Sequence, residues 1–229
     1  MEPHTGTALT SLTTTIAAVG ALGTAAFGLV DAFKVLPGGG ISSAGFKFIR
    51  QAIFNLVPDV ASLNGTGLSR DSIVYTLQSQ WINGTAAAAQ INIAKSLIKL
   101  RLTPDTATAL AKATGVDAGI LSQIAASIQS ATPLTTPQTD VYGRFDLLLT
   151  TLLDQAYQRA DQRYRNVAKF AAIPMAVALA VIAARVIPNQ VTYSQAVLIG
   201  LIATPIAPVA KDIASAISTA AQAIQSWAH

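Results

Sequence analysis

Between Thr5 and Ala228 the chain has no histidine, no cysteine and no glutamate; Glu2, His4 and His229 at the two ends are the exceptions in 229 residues. Acid–base and nucleophilic catalysis draw mostly on these residue types, so their absence weighs against an enzyme. Without cysteine, disulfides and thiolate-bound zinc are excluded, and no residue cluster calls for a metal or a cofactor. Charge is sparse too, at 11% of residues where about a quarter is usual in a soluble domain. Aromatic residues make up 6%, which leaves little for a large aromatic core.

What remains is apolar and small. Hydrophobic residues reach 52% with alanine foremost, and small side chains let helices approach closely. Three stretches carry no charge: Thr5–Val30, Phe170–Ala184 and Val186–Ala210, the last two separated by Arg185 alone. The apolar part of the first, Leu9 to Val30, is long enough at about 1.5 Å per residue to cross a hydrocarbon layer of about 30 Å. Its leader, Met-Glu-Pro-His, lacks the positive charge of a signal peptide, so the helix is expected to be retained. The other two stretches predict a hairpin over Ala168–Ile187 and Ser194–Ala210, turned at Pro188-Asn189. Acidic residues are absent from all three, which argues against a proton relay or carboxylate cation site inside a bilayer.

The fold class predicted is therefore all-α: an integral membrane protein with about three transmembrane helices and a cytoplasmic helical domain. Residues 1–35 form the N-terminal transmembrane helix. Residues 36–137 form the helical domain, with an amphipathic helix near 41–57 that lies on the inner leaflet or packs under the domain. Residues 138–210 form a long stalk helix that continues into the hairpin, and 211–229 an amphipathic tail. Within the domain, Ser69–Trp81, Thr85–Leu100, a helix capped by Thr103-Pro104 and ended by Gly115, and Asp117–Ala131 read as helices, with Thr132–Pro137 as a linker. Beyond it, Val141, Phe145, Leu148, Leu152, Tyr157, Ala160, Tyr164 and Val167 step mostly by three or four, the period of one long helix. Pro174 falls within that helix, and Pro205 and Pro208 mark a bend where the tail leaves the bilayer.

Three residue sets stand out as contacts. Ala17, Ala21 and Ala25, interleaved with Gly20, Thr24 and Gly28, repeat every four residues and are expected to pack helix on helix. Arg159, Arg163, Arg165 and Lys169, just before the second apolar stretch, are expected to meet lipid headgroups and, with Lys34, Lys47 and Arg50, to hold the middle of the chain in the cytoplasm. That orientation puts the N-terminus outside and the C-terminus inside. In the tail, Ile213, Ala216, Ala220, Ile224 and Trp227 form an apolar stripe suited to a protomer or partner.

Chemical motifs are incomplete. Ser96-x-x-Lys99 has the spacing of a serine acyl-enzyme without its companion motifs, and Gly38-Gly39-Gly40-Ile-Ser42 lacks the Gly-Lys ending of a phosphate loop. Asp154 and Asp161 lie two turns apart among arginines and form no dyad. Asn64-Gly-Thr66 and Asn83-Gly-Thr85 match glycosylation sequons but read as turns in a cytoplasmic segment. The expectation is a non-enzymatic scaffold whose partners are the lipid bilayer and a second copy or another protein, with no nucleic acid and no small-molecule substrate. A holin-like pore, lined by Thr10, Thr13, Thr14 and Thr24, is the alternative.

Overall fold

The computed structural model describes residues 4–33, 40–186 and 191–227. Its regular elements are α1 (His4–Ala32), α2 (Ser43–Leu56), α3 (Arg70–Ile82), α4 (Ala87–Leu100), α5 (Pro104–Thr114), α6 (Ala118–Gln129), α7 (Thr136–Val186) and α8 (Tyr193–Trp227), with single 3-10 turns at Gly40–Ser42 and Ala61–Leu63. No strand occurs among the described residues. Residues 34–39, with Lys34 and the first two glycines of the Gly38-Gly39-Gly40 run, and the expected Pro188-Asn189 turn lie outside them.

The helix signals act locally as expected. Ser69, Thr103 and Asp117 cap α3, α5 and α6, each side chain accepting from the amide three residues on. At α5 the cap is reciprocal: the Thr106 hydroxyl meets the Thr103 amide at 2.9 Å, and Pro104 fills a first-turn site that needs no donor. Gly115 ends that helix at φ 75°, a conformation that strains any residue with a Cβ. Asn64-Gly65 and Asn83-Gly84 are turns with positive φ at the glycines.

Two compact units result: Val35–Tyr164, and Met1–Lys34 together with Arg165–His229. The first has a conventional apolar core, in which Ile49, Ile53, Ile73, Leu77, Ile98, Leu110, Leu121, Ile124, Phe145, Leu149 and Leu153 are fully buried. Phe46, Ile49, Ile53 and Leu56 of α2 are packed inside this unit. Gly45 permits a close crossing with α7, since a Cβ there would lie 2.6 Å from the Ala160 carbonyl oxygen. The expected stalk also changes character. From Phe145 to Ala160, α7 is a core helix of this unit, and its buried face runs Phe145, Leu149, Leu153, Tyr157 and Ala160, with Leu148 and Leu152 half-buried beside it.

Candidate functional site: a small-residue bundle and its basic approach

Three helices are long and apolar enough to cross a membrane: Ser11–Ala32 of α1, α7 with its apolar C-terminal part, and Tyr193–Ala210 of α8. All three apolar segments belong to the unit formed by the two ends of the chain. Gly20 faces Ala210 and Gly23 faces Ala203 and Ala207, so α1 and α8 run antiparallel. The approach is close: a Cβ on Gly23 would stand 2.2 Å from the Ala203 carbonyl oxygen, and one on Gly200 would stand 2.4 Å from the Val177 Cα of α7. Ala26 and Val30 extend the buried face of α1, Ala172, Ala176 and Ala180 supply that of α7, and Ala196, Gly200 and Thr204 lie buried on α8. In lipid, whose tails are as apolar as leucine, helices packed this closely would be held by backbone approach and dispersion rather than by hydrophobic exclusion.

Of the six residues expected to pack α1, the structure brings Gly20 into the contact, whereas Ala17, Ala21, Thr24, Ala25 and Gly28 are exposed. The face that packs is set about one residue around the helix, on Gly20, Gly23, Ala26 and Val30. The rows on α7 and α8 were equally visible at spacing four, but only tertiary contact distinguishes a used row from an idle one in an alanine-rich helix.

Thr204 was not anticipated. Its hydroxyl is buried without a hydrogen-bond partner among the described residues, beside two helix-interior prolines, Pro205 and Pro208. Proline has no N–H, so the carbonyls of Leu201 and Thr204 lose their usual donors four residues on. The helix nevertheless continues: α8 is one element through both prolines to Trp227, where a separate tail had been expected. On that extension Ile213, Ala216 and Ala220 are exposed, and the side chains of Ile224 and Trp227 lie outside the described residues.

Arg159, Arg163, Arg165 and Lys169 are all exposed on α7. At about 100° per residue they fall in two pairs, Arg159 with Arg163 and Arg165 with Lys169, whose mean directions are about 120° apart around the helix. Tyr157, by contrast, is 2% exposed and packs 6.3 Å from Trp81. The Ser96 hydroxyl donates to the Asn92 carbonyl at 2.9 Å, while Lys99 pairs with Asp146, so this serine and lysine are engaged elsewhere. Gln158 donates to Asp154 at 2.6 Å. Among the described residues no three histidine, cysteine or acidic side chains gather where they could hold a metal.

One side chain with a large structural role escaped the sequence reading. Arg101, 1% exposed at the end of α4, donates to the carbonyls of Leu68 and Pro58 and so ties down the connection between α2 and α3. Burial pulls its pKa below the ordinary arginine value, and nearby Asp59 works against that pull. Compared with known proteins, the chain matches no family model, no curated protein and no solved structure.

Proposed function

We propose that this chain is a non-enzymatic membrane scaffold: the small-residue bundle anchors it in lipid, and the helical unit Val35–Tyr164 is the cytoplasmic part that self-associates or holds a partner complex. The observation that carries this reading is the contrast between the two units. One has an ordinary buried core of branched aliphatic residues; the other buries mainly alanine and glycine and leaves Leu12, Phe170, Ile182, Leu198, Leu201 and Ile202 at least 45% exposed. Exposed leucine and isoleucine around a small-residue interior is the arrangement lipid favours. In this reading Arg163, Arg165 and Lys169 meet anionic headgroups, whereas Arg159, the fourth residue of the expected set, lines a cleft of the unit Val35–Tyr164; the positive charge near the spans keeps the middle of the chain inside.

A holin-like pore has less support. The Thr24 hydroxyl already donates to the Gly20 carbonyl at 3.0 Å, so it needs no water-filled lumen. Reconstitution into dye-loaded vesicles separates the two. Sealed vesicles bearing an ordered oligomer support the scaffold; dye release that rises with protein density replaces it with the pore.

A further inference from the structure

The unit Val35–Tyr164 contains a cleft of ≈ 320 Å³ between α2, α5 and α7. α2 and α7 cross closely at Gly45, where a Cβ would lie 2.6 Å from the Ala160 carbonyl oxygen, and Ala113 of α5 lines the cleft with them. Its floor is apolar, with Phe48, Leu152 and Ala113 contributing. Its walls are polar. Gln51 and Asn55 stand one turn apart on α2, Gln155 and Arg159 one turn apart on α7, and all four line the cleft. None of these four side chains makes a hydrogen bond or ion pair among the described residues, and Arg159 is the one ionisable group in the lining.

We propose that this cleft binds a small organic monoanion, a carboxylate carrying an apolar tail. A concave site with an apolar floor and a few convergent polar groups is the usual form of a small-ligand pocket, and ≈ 320 Å³ falls in the range of such pockets. The guanidinium of Arg159 offers paired donors that match a carboxylate, the three amides can donate to its remaining lone pairs, and the tail covers Phe48 and Leu152. No acidic side chain lines the cleft to compete for Arg159. This separates Arg159 from Arg163, Arg165 and Lys169, whose proposed contacts are headgroups. The proposal does not depend on the scaffold reading, since it needs this unit's cleft alone.

The test is equilibrium dialysis of radiolabelled octanoate against the full chain in phosphatidylcholine nanodiscs, with empty nanodiscs as the blank. Should the chain dissolve without lipid, the same titration runs in buffer. Saturable binding of one octanoate per chain is expected, with octanol a poor competitor. Arg159→Gln, an exposed substitution that leaves helicity unchanged, weakens binding about tenfold or more, the loss of a charge-assisted pair; Ala113→Leu, which fills the floor, also weakens it. Binding no greater than the blank, octanol competing as well as octanoate, or an unchanged affinity in Arg159→Gln overturns the proposal.

Discussion

Arg101 ends α4 with 1% of its surface exposed, and its guanidinium satisfies two carbonyls of the α2–α3 connection. Replacing it by methionine keeps the volume and leaves both acceptors bare, at a cost of about 2–4 kcal/mol. Urea unfolding of the full chain, followed by Trp81 fluorescence in a Trp227→Phe background, measures this; a loss under 1 kcal/mol would contradict the role assigned to it. Asp146 is a milder case. Burial alone raises its pKa, but hydrogen bonds from Lys99 and Lys95 outweigh that and hold the carboxyl below its ordinary value. A carboxylate so depressed stabilises the fold above its unfolded pKa, about 3.9, and that contribution fades as pH falls through the lower folded value. Asp146→Asn is therefore expected to cost about 1 kcal/mol at neutral pH. The difference from the parent chain should vanish in strong acid, which the same unfolding measurement repeated from pH 7 to pH 2 reads directly.

At the scale of elements, the caps of α3, α5 and α6 were legible because a cap is a local event, fixed by a serine, threonine or aspartate and the amides that follow it. The packing face of α1 was not. Alanine and glycine crowd α1 so evenly that several faces qualify as small-residue rows, and the choice falls to the shape of α8. Two substitutions expose the difference. Gly23→Val drives a side chain into the Ala203 backbone, whereas Gly28 has nothing within 4 Å to meet. The first is expected to separate α1 from α8 and the second, made to alanine, to be neutral or slightly stabilising. Thermal unfolding in mild detergent reports the outcome: the midpoint should fall in Gly23→Val and hold in Gly28→Ala.

At the scale of the whole molecule, the proposed topology makes a prediction that the cysteine-free sequence renders simple to check. Single cysteines at Ser79 and Ser127, in the unit Val35–Tyr164, should resist an impermeant thiol reagent applied to intact cells and label after permeabilisation. A cysteine near the N-terminus should label without it. The opposite pattern, or a glycan on Asn64 or Asn83, would invert the orientation. The same experiment bears on the stalk, since Phe145 to Ala160 of α7 is buried in a soluble-type core and so belongs to whichever side that unit occupies.

Composition and spacing alone determined that this chain is helical, that three segments are apolar enough for lipid, and where the short helices start and stop. These properties depend on neighbours within a turn or two along the chain, and the sequence holds that information in full. Tertiary structure decided which small-residue row meets which, that α7 enters a core before its apolar part, that Arg101 is buried, and that four polar side chains surround one cleft. Each of these depends on residues brought together from distant parts of the chain, through backbone approaches of a few ångströms that no single helix period encodes.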